Sequence, residues 1–458
     1  MYRNETYRDQ IIEALKGHEA EYVEIRLEES KATRIQYRGK ALEDISQSTS
    51  FGGNVRALVE GGWGFISFNK LSGLPDKVKL AVKQARLIGK EVTKFAPAAP
   101  IMDFVEEAVK KDCFSLSLAD RKRLLDEYNE VIWSTPKIGT SIISYRDRFK
   151  RVVFANSEGS YIEQQKGDLS LRISAVAREG GDVQQSGLSL GSNGDFGKVE
   201  RLHPQVTEIA QRAVELLSAP QVKAGEYTVV LDPILAGVFA HEAFGHLSEA
   251  DFIYQNERLQ EVMVLGRKFG GEHLDIVDDA TTSGLRGSYK YDDEGVPATK
   301  TYLIKEGVLV GRLHSRETAA EMKELPTGNA RALDYRFPPI VRMSNTFIAP
   351  KSVSFEEMIS EIKEGVYVKN WYGGTTSMEM FTFSAGEAYM IRKGKLAGLL
   401  RPVVLTGNIF TTLGNIDAIG NDLEVNEGGG CGKGAQFPLP ISNGSPHIRI
   451  RRCLIGGK

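Results

Sequence analysis

The sequence predicts an α+β fold in three segments: an α+β unit over residues 1–95, a second over 105–220, and a larger strand-rich segment over 226–458. Three observations carry this. Apolar residues alternate in segments bounded by glycine, the pattern of half-buried strands. An order of helix, antiparallel meander and helix occurs twice before residue 220. After residue 226 helical periodicity is sparse and glycine frequent. Strands grouped apart from helices, rather than alternating with them, mark α+β.

The elements follow in chain order. Residues 5–16 form a helix with Ile11, Ile12 and Leu15 on one side. The stretches EYVEIRLEES, ATRIQYRGKALEDISQ and NVRALVEGGWGFISF read as a meander, and 76–90 as a helix across it. KFAPAAP, residues 94–100, is a linker. A helix at 117–132, strand-like segments to about residue 197, and a helix at 206–219 make the second unit. APQVKAGE, residues 219–226, is the second linker. In the last segment helical patterns are confined to 233–247, 316–323 and 354–364.

Bulk properties narrow the function. With 458 residues, at roughly 100–200 per domain, the chain holds two to four domains. A formal net charge of −2 offers no basic excess for a phosphate backbone, so nucleic acid is not an expected partner. The charged start MYRNETYRDQ lacks the apolar core of a signal peptide, and no apolar run is long enough to cross a bilayer. Three scattered cysteines make no disulfide framework, which fits a cytoplasmic protein with reduced thiols. Cys113 and Cys453 read as structural.

The chemistry centres on FAHEAFGHLSEAD, residues 239–251. Asp232-Pro233 is a helix start, an N-cap followed by proline at the first helical position. His241, Glu242 and His246 therefore sit on one helix. Histidines five apart lie about 140° apart on a regular α-helix, too far for one metal. One residue absorbed as a π-bulge returns them to a common face, and Gly245 is where the helix could take that irregularity. The motif thus predicts a distorted helix at a metal site. Two imidazoles hold the ion, and Glu242 is placed to act as general base.

The third ligand is open among Glu249, Asp251, His273, His314, Cys431 and His447. Cys431, in GGGCGKG, is the strongest. Its glycines allow close backbone approach, and a thiolate binds zinc well. The same glycines suggest a phosphate loop, but Gly434 stands where Ser or Thr is required and no helix follows. Glu249 and Asp251 are candidates to orient the histidines. Asn329, Arg331, Gly374 and Thr375 are candidate substrate contacts, the last two in a strand-like wall at 372–391 that an extended peptide could pair with.

With these residues the chain resembles the TldD/PmbA family of metallopeptidases, and its TldD branch. HEAFGHLSEAD, DDEGVPATKTYLIKEGVLVG at 292–311, GNARA at 328–332, MSNTFI at 343–348 and GGGCGKG at 428–434 carry the resemblance. It implies one zinc per chain held by His241, His246 and Cys431, with Glu242 as the catalytic base. It also implies hydrolysis of unfolded or flexible polypeptides, and pairing with a related PmbA (TldE) type subunit as a heterodimer; a homodimer is the other arrangement. Two other functions stay open: a non-catalytic peptide-binding subunit and a metallohydrolase of small amides.

Overall fold

The alternating segments before residue 192 become strands, and all of them join one sheet. The computed structural model describes residues 5–89, 93–106, 109–377 and 379–457. Helix α1 (Glu5–Ala14) precedes β1 (Tyr22–Arg38), β2 (Ala41–Val59) and β3 (Gly62–Phe68), and α2 (Leu74–Ile88) follows. Then come β4 (Met102–Val105), α3 (Leu118–Trp133), β5 (Ile138–Asn156), β6 (Tyr161–Glu179), β7 (Asp182–Ser192) and α4 (His203–Ser218). The strand order is β3-β2-β1-β5-β6-β4, with β7 also on β6.

β1 and β5 pair antiparallel from Glu24 opposite Asn156 to Arg38 opposite Ile142. The two N-terminal segments thus share one hydrogen-bonded sheet. Each keeps its own apolar core, however. α1 and α2 bury Ile11, Val78 and Ala81 against Val23, Ile25 and Val55. α3 and α4 bury Leu125, Ile132, Val206 and Ala213 against Ile143, Leu171 and Ile173. The buried face of α4, with Val206, Ile209, Ala210, Ala213 and Leu217, is the helical repeat visible in the sequence.

From β8 (Gly225–Leu231) onward, beside two small two-stranded sheets, two large sheets form among the described residues. One closes on itself. β8 lies between the strands Glu364–Ser377 and Ile448–Gly457, the latter pairs with Val403–Asn408, that with Met380–Arg392, and that returns to Glu364–Ser377. The other sheet holds Ile276–Asp279, Asn345–Ile348 and Ser442–Ser445 at its centre. Between the two runs α5 (Pro233–Ala240). Its sequence, PILAGVFA, is apolar all round, as an enclosed helix must be. Phe239 meets the edges of Phe381 and Phe383 at ring distances of 5.5 and 6.3 Å. At Gly237 the helix comes so close to the strand Ser442–Ser445 that an added Cβ would lie 3.0 Å from Gly444 Cα.

The helix expected over 233–247 is α-helical only to Ala240. That expected over 354–364 is the shorter Phe355–Ser360. Three short helices, Ala250–Tyr254, Glu257–Val262 and Ile409–Gly414, had no readable periodicity. Among the described residues no helix is long and apolar enough to cross a membrane.

A buried ionic seam joins the first sheet to the last segment. Arg56 of β2 bridges Glu24 at 2.9 Å and Glu294 at 2.7 Å, and Arg26 of β1 meets Asp293 at 3.3 Å. The acidic run Asp292–Glu294 is therefore an internal plug, not a solvated charge patch.

Candidate metal centre

The site begins at the cap of α5. Asp232 Oδ1 accepts from Leu235 N at 2.8 Å, and its other oxygen accepts from Asn370 N at 3.1 Å, which fixes the helix start. Helical geometry then changes twice. His241–Gly245 is one π-helical turn and His246–Ser248 one 3-10 turn. The wide turn accommodates the fourth residue between the histidines, and their rings meet at 5.1 Å, tilted by 75°. Met343 packs directly on Gly245, where an added Cβ would lie 2.1 Å from Met343 Sδ and force that side chain to move.

Cys431 reaches this turn from a hairpin. It opens the strand Cys431–Lys433 and pairs with Leu439 in the strand Gln436–Leu439. Arg342, wholly buried, donates to the Cys431 carbonyl at 2.8 Å and pins the hairpin. Cys431 Sγ lies 3.4 Å from His246 Nε2. One ligand atom each of His241, His246 and Cys431 fall within 4.8 Å of one another.

The surroundings order these groups electrostatically. His246 Nδ1 donates to Glu249 Oε2 at 3.0 Å, leaving Nε2 toward the sulfur. Glu249 is fully buried, accepts from Met343 N at 3.3 Å, and pairs with Lys433 Nζ at 3.0 Å. Burial pushes its carboxyl up, but the charges of His246 and Lys433 outweigh this and hold it at about 2. Burial likewise raises the Cys431 thiol, and the two imidazoles overcome it, bringing the thiol to about 5. His246 is raised well above its usual value: burial opposes its charge, while Glu249 and Cys431 favour it. Lys433 also holds Asp251 at 2.6 Å.

The donor set fits a zinc-like ion. Imidazole and thiolate suit a borderline-soft cation. His241 Nδ1 is buried with no hydrogen-bond partner among the described residues, an imbalance that a bound cation at this ring would offset. His246 already has the carboxylate partner that metal-ligating histidines usually have. Glu242 is half-buried in the π-turn.

The other ligand candidates are engaged elsewhere. His273 Nε2 donates to Ile416 O at 2.8 Å. His314 lies between Thr318 and Glu324, each at 3.1 Å. His447 lies between Asp422 at 2.6 Å and Tyr367 at 2.9 Å.

Of the substrate candidates, Asn329 is 2% exposed and fully used inside. Its amide donates to Asp278 at 3.0 Å and to Arg342 O at 3.1 Å, and its oxygen accepts from Thr327 at 2.7 Å. These bonds tie the loop 327–329 to the strand Ile276–Asp279 and to Arg342. Arg331 is also buried, donating to Met343 O at 2.5 Å and Pro440 O at 2.8 Å. Gly374 and Thr375 are exposed on the strand Glu364–Ser377, which packs against the π-turn. Sequence reasoning missed Lys433 and Arg342. Lys433 carried a signal: two residues from Cys431 in a strand, it shares that residue's face.

Family models for three consecutive domains match the chain: PmbA/TldA metallopeptidase domain 1 over residues 23–88, the central domain over 111–219, and the C-terminal domain over 224–457. The chain belongs to the PmbA/TldA metallopeptidase family. Among family members, a metalloprotease of Synechocystis sp. is 48% identical over 441 residues, 96% of this chain and 95% of that one. A zinc metalloprotease TldD homolog of Saccharolobus solfataricus is 34% identical over 325 residues, 70% of this chain and 72% of the other. The crystal structure of TldE from Thermococcus kodakarensis shares the fold with a TM-score of 0.78 at 18% identity, covering 98% of this chain and all of that one.

Proposed function

We propose that this metallopeptidase is the zinc-bearing, TldD-type member of its family and cleaves peptide bonds in unfolded or flexible polypeptides. The observation that carries the reading is the convergence of two imidazoles and a thiolate within 4.8 Å on a turn that also bears Glu242. His241, His246 and Cys431 would hold one zinc, an assignment supported by the donor types and by the naming of the Saccharolobus relative. Bound there, zinc supplies an acidified water and a polarised carbonyl. Glu242 takes the proton of the attacking water and delivers it to the leaving amine. Glu249 fixes the tautomer and tilt of His246, and Lys433 compensates the buried carboxylate. The part of the strand Glu364–Ser377 beyond Val368, where β8 no longer pairs with it, is the surface an extended substrate would pair with, by main chain more than side chain. The likeness to TldE supports pairing with a subunit of that type.

The test is elemental analysis of the purified chain beside cleavage of an unstructured peptide. About one zinc per chain is expected, with cleavage lost on chelation and restored by zinc. Cleavage that persists in fully metal-free protein overturns the reading.

A further inference from the structure

A cavity of about 90 Å³ lies behind the Cys431 hairpin, between the first sheet and the last segment. About 10–15 Å³ of such space holds one water, so this cavity takes one small polar group rather than a loop. Six cationic side chains line it: Arg26, Arg148, Lys150, Lys166, Arg286 and Arg331. Two carboxylates line it too, Asp168 and Asp293. Asp168 meets Arg286 at 2.5 Å and Asp293 meets Arg26 at 3.3 Å. Glu28, beneath the wall, faces Arg26, Arg148 and Lys150 at 3.4, 2.7 and 3.4 Å, so three cations share one carboxylate. Arg331 donates to two carbonyls, which orient its guanidinium without neutralising it.

Glu28 is thus shared among three cations, and one of the guanidinium groups is left short of acceptors. Arg26 is 4% exposed, and its Nε and one terminal nitrogen have no hydrogen-bond partner among the described residues. A buried guanidinium left so is costly unless an acceptor arrives. Lys150 is held by Glu28 and by the Leu333 carbonyl, and burial lowers its ammonium to about 8.

The cavity adjoins the candidate metal centre. Leu439 lines it and pairs with Cys431. Arg331 lines it and grips the carbonyl of Met343, whose N–H meets Glu249. We infer that this cavity is a carboxylate subsite, anchoring a carboxylate of the peptide substrate a few residues from the bond cleaved. The inference rests on the peptidase reading for its substrate, but not for its binding site. The carboxylate has two sources, the peptide's C-terminus or an acidic side chain.

Binding to the full chain carrying Glu242→Gln, which spares the peptide, tests it. Three unstructured peptides with an uncharged N-terminal dye are compared by anisotropy: a free acid without acidic side chains, its C-terminal amide, and that amide with one internal glutamate. The free acid is expected to bind about tenfold tighter than the plain amide if the terminus is the ligand, and the glutamate peptide to do so if the side chain is. Equal affinity for all three overturns the inference. Arg148→Gln, at the cavity's more open edge, should reduce the preference below about threefold. Arg26→Lys, which keeps the charge but loses the planar fork, should weaken it in the same direction. A preference unchanged in both variants, each folded, also overturns it. If the wild type hydrolyses acid and amide alike, the peptidase reading stands and the subsite falls. If the acid binds preferentially but is never hydrolysed, the subsite stands and the peptidase reading falls.

Discussion

His246 and His447 have nearly the same immediate surroundings. Each gives Nδ1 to a carboxylate, Glu249 at 3.0 Å and Asp422 at 2.6 Å. Each is largely buried, and each ring packs on another, His241 at 5.1 Å and Phe355 at 4.6 Å. They differ at Nε2. In one it faces a thiol beside a second imidazole; in the other it meets the Tyr367 hydroxyl at 2.9 Å. A phenol completes a hydrogen-bond chain and ends it. A thiol and two imidazoles form a donor set that asks for a cation. The carboxylate–histidine pair, so often read as functional, sets orientation in both places and distinguishes neither.

The comparison can be tested from either side. The largest effect is expected at Glu242, which the His447 cluster has no counterpart for. Glu242→Gln should slow peptide cleavage by about 10²–10⁴-fold with zinc content and melting temperature unchanged. Cleavage at the wild-type rate would remove it as the base. Next comes the thiol. Cys431→Ser should weaken zinc by more than the roughly 10–100-fold typical of losing an orienting partner, read by competition with a chromogenic chelator. Glu249→Gln, which keeps shape but loses charge, should fall inside that roughly 10–100-fold range. An unchanged zinc affinity there would make Glu249 as incidental to metal as Asp422. The smallest effect is expected at the other histidine: Tyr367→Phe should cost about 0.5–1.5 kcal/mol of stability and leave zinc binding untouched. Zinc loss in that variant would erase the distinction between the clusters.

Much of the site was legible because its chemistry is local. The five-residue spacing of His241 and His246 required a widened turn, and His241–Gly245 is π-helical. Glu249, three residues after His246, was near enough in sequence to be read as its partner. Cys431 stood out through its glycines. The burial of Asn329 and Arg331 was not legible, because the groups that hold them, Asp278 and Pro440, come from distant parts of the chain. The helices and the meanders were legible from periodicity. The union of the two N-terminal segments was not, since the pairing of β1 with β5 joins residues more than a hundred apart and leaves no mark on either strand's pattern. The short helices Ala250–Tyr254 and Glu257–Val262 are below the length at which a repeat can be seen.

The strand Ile448–Gly457 lies between β8 and Val403–Asn408, so the closed sheet cannot be completed until that strand has left the ribosome. Cys431 also emerges late, 185 residues after His246. A nascent chain thus displays both histidines and Glu242 long before it has a thiolate or a finished sheet to hold them. On the proposed ligand set, a chain that stalls before residue 431 lacks the third zinc ligand, and such a truncated chain is expected to cleave no peptide.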